Sequence, residues 1–132
     1  MTTDTPQVGT TLPELALQPI SRTTLGLFAG ASGDHNPIHI DLDFARSAGF
    51  EDVFAHGMLS MAYLGRLLTN WAPQGRLRSY SVRFAAITPL HGQPTCRGKV
   101  VELEDGLATL ELTVTLADGT TTLLGDAVVA IA

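Results

Sequence analysis

The sequence predicts an α+β fold in which an antiparallel sheet curls around one long apolar helix. Two observations carry that expectation. Leu110, Leu112, Val114 and Leu116 alternate with Glu111, Thr113 and Thr115, a period of two that marks a half-buried strand. Between His56 and Trp71, residues Met58, Leu59, Met61, Ala62, Tyr63, Leu64, Leu67, Leu68 and Trp71 leave only a narrow polar face. A helix that is apolar nearly all round has to be buried.

Taken in chain order, the opening Met-Thr-Thr-Asp-Thr-Pro-Gln has neither the basic nor the apolar region of a secretory leader. Leu12 to Leu17 is read as a strand, confined by Pro13 to a strand start or an edge. A first helix is expected to start with Ser21 as N-cap, to carry Leu25 and Phe28 inward, and to stop near the run Gly30 to Gly33. In the long helix, Gly65 costs about 1 kcal/mol against alanine, so close packing or pocket space is expected there. Tyr80, Val82 and Phe84 alternate, and Cys96 to Leu103 and Leu123 to Ile131 complete four antiparallel strands. Asp105-Gly106 and Asp118-Gly119 suit the tight turns between the last three. No repeat, low-complexity tract or linker divides the chain. Residues 1–132 are therefore read as a single domain.

Composition narrows the functional classes. Eight basic against thirteen acidic residues give a net charge of −5, which disfavours a broad nucleic-acid surface. One cysteine cannot form an internal disulfide, and no uncharged apolar stretch is long enough to span a membrane. A cytoplasmic location is the expectation. Only 16% of the residues are charged, and a curled sheet leaves an unpaired edge strand. Edge pairing between two copies answers both, so an oligomer is expected.

The chemistry concentrates in Ser32-Gly33-Asp34-His35-Asn36-Pro37-Ile38-His39. Pro37 lacks an N–H and forces Asn36 into an extended conformation, so the first helix must end before it. A turn through Asn36-Pro37 lets the Asp34 carboxylate and the His39 imidazole converge on one water and move a proton to or from it. Asn36 suits bracing that turn. The same residues also suit an ordinary polar loop in which Asp34 merely caps a turn. His35 and His39 have the spacing of helical zinc ligands, but Pro37 breaks the helix between them, so no metal is expected. At the start of the long helix, Gly57 offers an N–H without an internal partner and lets a substrate approach closely. That is oxyanion-hole geometry, although a glycine is also explained by tight loop-to-helix geometry.

These residues resemble the MaoC-like, or hydratase 2, branch of the hot-dog fold superfamily. The resemblance rests on Gly33, Asp34, Asn36, Pro37, Ile38 and His39, then Ala45, with Phe28 upstream and Ala55-His56-Gly57-Met58-Leu59 leading into the central helix. It implies a single hot-dog fold and a hydro-lyase that reversibly adds water, syn, across trans-2-enoyl thioesters to give (3R)-3-hydroxyacyl thioesters. Asp34 and His39 would then be the catalytic dyad, and Gly57 N–H would bind the thioester oxygen. Asn36, His56, Ser60 and Arg83 are the candidate substrate contacts. Gly65 stands where some relatives carry a serine hydroxyl, with Ser60 as a substitute. Arg76, Arg78 and Arg83 suit the phosphates of coenzyme A or an acidic acyl carrier protein, and equally a solvated strand edge. No cofactor is implied, since coenzyme A or the carrier protein belongs to the substrate. The expected assembly is a homodimer, or a heterodimer with another hot-dog chain. The alternatives are a thioester-binding partner subunit of a dehydratase and a hot-dog thioesterase. Gly57 to Trp71 holds no Asp or Glu, which disfavours the thioesterase.

Overall fold

The structure, a computed structural model, describes residues 5–131. The first four of the seven opening residues read for a leader lie outside that range. The elements run β1 (Leu15–Ala16), α1 (Arg22–Ser32), a 3-10 turn (Pro37–His39), α2 (Leu42–Ser47), α3 (Gly57–Trp71), a second 3-10 turn (Gln74–Arg76), β2 (Leu77–Phe84), β3 (Thr95–Glu104), β4 (Leu107–Thr115) and β5 (Thr121–Ala130). The strands form one antiparallel sheet in the order β1-β3-β4-β5-β2.

Local signals set most boundaries. The Ser21 hydroxyl accepts from Thr24 N–H at 3.1 Å and caps α1, and Gly33 ends it at φ 78°, a left-handed conformation that glycine adopts without penalty. Asp105 and Gly106 both have positive φ, as a two-residue hairpin turn between β3 and β4 requires. Leu110, Leu112 and Val114 point inward and are fully buried. The adjacent valines split, Val100 buried and Val101 exposed, at a register shift between Val100 and Glu102. Such bulges bend a strand and help the sheet curl.

Three expectations change. The first strand shrinks to two residues plus a bridge from Thr11 to Lys99, because Pro13 interrupts the ladder between them. The short helix α2 follows Asp41, whose carboxylate accepts from the Asp43 and Phe44 N–H groups, a cap the sequence reading passed over. Finally, α3 is not covered all round. Leu64, Leu67, Leu68 and Trp71 are buried against the sheet, but Met58 is 55% exposed and Ala62, one turn on, is exposed as well. One curled sheet covers only one side of a helix.

At Gly65 the neighbour is Tyr80, at an ordinary contact distance that does not itself demand glycine. A Cβ there would sit 3.7 Å from the Tyr80 ring, and the Tyr80 O–H donates to the Met61 carbonyl at 2.7 Å. Burial of its hydroxyl raises the Tyr80 pKa well above the usual phenol range. Truncating Leu64, which is completely buried, to alanine is expected to cost about 2–5 kcal/mol. A denaturant midpoint that moves down at unchanged slope would show it.

Candidate active site

The loop after α1 is a chain of short-range hydrogen bonds. Ser32 Oγ accepts from the Asp34 N–H, Asp34 Oδ1 from the Asn36 N–H, and Asn36 Oδ1 from the Ile38 N–H, at 3.1, 3.2 and 3.1 Å. Asn36 therefore braces the turn through its own oxygen, as its side chain commonly does. Pro37 opens the 3-10 turn that ends at His39.

Longer-range bonds aim the imidazole. His39 Nδ1–H donates to the Phe54 carbonyl at 2.8 Å, because a carbonyl can only accept, so in the neutral ring Nε2 keeps its lone pair. A carboxylate oxygen of Asp34 and one ring nitrogen each of His39 and His56 lie within 4.8 Å of one another. Asp34 is exposed and His39 is largely buried, so the pair presents one open and one sheltered proton acceptor. The segment carrying Phe54 is pinned by the Arg22 guanidinium, which grips the Asp52 carboxylate with two hydrogen bonds at 3.0 and 2.7 Å. Those bonds, with the Val53 N–H, hold the Asp52 carboxyl below its ordinary value. Ala45 is fully buried in the satellite core of Ile20, Leu25, Val53, Ala55 and Leu59, where a larger side chain would push α2 away from the site.

Gly57 is the first residue of α3, and His56 before it makes no side-chain cap. Among the described residues the Gly57 N–H has no acceptor, as expected at a helix start. The Phe84 ring lies against the glycine, so that a Cβ at position 57 would come within 2.9 Å of it. An added Cβ would therefore have to displace the Phe84 ring, an exposed side chain.

Three of the candidate substrate contacts, Ser60, Arg83 and His56, have little or no surface facing the Asp34–His39 cluster in the single chain. Ser60 has no exposed surface and pairs with the Thr88 hydroxyl at 3.4 Å. It lies on the buried face of α3 and ties that helix to the β2–β3 connection. Arg83 is exposed and lines a groove with Ser81, Val82 and Asp126, and Val82 also packs on the core. Strand alternation thus puts Arg83 on the face of the sheet away from α3. His56 is 1% exposed. Its Nε2–H donates to the Asp34 carbonyl at 3.2 Å, and its ring stacks on His39 with centroids 4.0 Å apart and planes 25° from parallel. Of the other arginines, Arg78 donates to the Gly75 carbonyl at 2.7 Å.

The three clustered groups are of metal-ligating type, but their geometry does not suit an ion. Nearly parallel stacked imidazoles aim their in-plane lone pairs along separate planes rather than at one point.

The sequence profile of the MaoC-like domain family matches residues 5–119. The (R)-specific enoyl-CoA hydratase of Rhodospirillum rubrum is 41% identical over 54 residues, which are 41% of this chain and 38% of that protein. The chain spans well under half the length of several other curated relatives it matches. A fuller match is the 3-oxo-4,17-pregnadiene-20-carboxyl-CoA hydratase beta subunit of Mycobacterium tuberculosis, 32% identical over 80% of this chain and 81% of the relative. Among solved structures, unliganded R-hydratase PhaJ1 of Pseudomonas aeruginosa superposes with a TM-score of 0.85 at 27% identity, covering 95% of this chain and 81% of that one.

Proposed function

Because this chain belongs to the MaoC-like domain family and has the hot-dog fold of its solved relatives, we propose that it is a hydro-lyase that adds water to trans-2-enoyl thioesters. The product is a (3R)-3-hydroxyacyl thioester, and the reaction runs in either direction. The observation that carries this reading is the convergence of Asp34 and His39, with His39 Nδ1–H committed to the Phe54 carbonyl. That leaves Nε2 and a carboxylate oxygen to hold one water.

In this reading the Gly57 N–H receives the thioester oxygen and draws electron density from the conjugated double bond, so that C3 becomes electrophilic. The dyad takes a proton from the held water as its oxygen bonds to C3. The displaced π pair resides on the thioester as an enolate, and that same proton returns at C2. Atoms balance, no cofactor takes part, and both new bonds form on the face where the water sits. Dehydration uses the same groups in reverse. The exposed side chains of Met58 and Phe84, beside Gly57, supply an apolar rim for the acyl chain.

The working unit in this proposal is a cytoplasmic homodimer. Strand β2 is an unpaired edge of the sheet, and Met58, Ala62, Phe84 and Ile87 are apolar and uncovered in one chain. Light scattering should give twice the 14.0 kDa mass of the chain. A lone 14.0 kDa species that gains activity only with a second hot-dog chain would instead make it half of a heterodimer.

The activity itself is tested with enoyl-CoAs of graded length, by loss of the conjugated-thioester absorbance. Hydration with no release of free thiol is expected. Thiol release without hydration would make the protein a thioesterase.

A further inference from the structure

We infer that His56 is a positioning residue of the hydration site, acting as a neutral hydrogen-bond donor that locks Asp34 and His39 into one arrangement. The inference rests on the dyad reading above. Among the described residues, His56 Nδ1 is the one buried side-chain polar atom without a hydrogen-bond partner. The ring is almost wholly buried, with the edge of Phe28 against it at 4.9 Å between centroids and the face of His39 on it at 4.0 Å. A buried histidine serving only as filler is an expensive choice, since an apolar side chain of similar volume avoids the unpaired nitrogen.

What the imidazole does, and an apolar residue cannot, is reach across 22 residues of sequence to the Asp34 carbonyl. That bond fixes the backbone from which the Asp34 carboxylate springs. The same ring gives His39 a flat support, while the Phe54 carbonyl fixes the rotation of His39 about that support. Protonating Nδ1 would bury an N–H with no acceptor and set a positive charge beside His39. Burial accordingly holds the His56 pKa below its ordinary value, opposed in part by the bond to the Asp34 carbonyl and aided by His39. The titratable groups facing it are Asp34 and His39. The His56 carbonyl and the Gly57 N–H belong to one peptide group, so the bond from the His56 side chain to Asp34 ties the dyad loop to the start of α3.

Two substitutions separate donor from filler. In His56→Gln the side-chain amide reaches the place of Nε2 and still donates. In His56→Leu the volume stays and the donor goes. With crotonyl-CoA we expect kcat to fall ~10–100-fold in His56→Leu at nearly unchanged KM, and to recover to within ~5-fold of wild type in His56→Gln, the order of effect of a mispositioned acid–base group. A second readout does not depend on turnover: 15N spectra of labelled histidine at pH 7 should show His56 locked as the neutral Nε2–H form. Equal kcat in the leucine and wild-type proteins, equal loss in both variants, or a His56 exchanging between ring forms would each overturn the inference. A wild-type protein that hydrates no enoyl thioester, yet shows the locked ring, would instead sink the proposed reaction.

Discussion

Asp34→Asn and His39→Gln are each expected to lower kcat for crotonyl-CoA hydration by ~10²–10⁴-fold, the scale of losing a positioned acid–base group. The asparagine variant is the cleaner of the two. Its Oδ1 still accepts from the Asn36 N–H, so the bond that shapes the loop survives, while the charge that would take a proton is gone. Since both groups work on one water, the double variant should lose little more than either single one. Circular dichroism and the denaturant midpoint should stay close to wild type for Asp34→Asn, because that carboxylate is exposed. Turnover at the wild-type rate in both folded variants would remove the dyad from the mechanism.

The second large effect is expected at Gly57. Proline is tolerated at the first position of a helix, where its missing N–H has no intrahelical partner to lose. His56 already has φ −59° and ψ 134°, the extended conformation a residue before proline must take. The obstacle is Phe84, whose ring would lie 2.9 Å from the added Cβ. Gly57→Pro is therefore made together with Phe84→Ala, and Phe84→Ala alone is the reference. Relative to that reference, kcat should fall ~10²–10³-fold, the measured scale for deleting one oxyanion donor. Equal rates in the two proteins would show that the amide does not touch the thioester oxygen.

Much of the fold was legible because its signals are local. Ser21 and Gly33 bound α1, Asp105-Gly106 turns the chain between β3 and β4, and the alternation at Leu110, Leu112 and Val114 orients β4. The turn at Asn36-Pro37 was legible for the same reason. The approach of His39 to Phe54 and of His56 to Asp34 was not, since those bonds link positions 15 and 22 residues apart and leave no spacing to read.

The placements of Arg83 and Ser60 had local signals in the sequence. With Tyr80 and Val82 facing the core, Arg83 had to face outward. Ser60 shares the helical face of Leu64 and Leu67, four and seven residues on, and so had to be buried. The helix α2 announced itself only by the Asp41 cap, too weak a signal over six residues. The exposed stripe of Met58 and Ala62 reflects what a single chain lacks: a helix apolar on both sides is fully covered only when a second body meets it.

The central claim is that an acid and an imidazole on one side of the substrate deliver both parts of a single water. Hydration of crotonyl-CoA in D₂O, followed by assignment of both new stereocentres, tests it most directly. The account predicts a (3R) alcohol with deuterium at C2 on the same face as the hydroxyl. A (3S) alcohol, or deuterium on the opposite face, would contradict it.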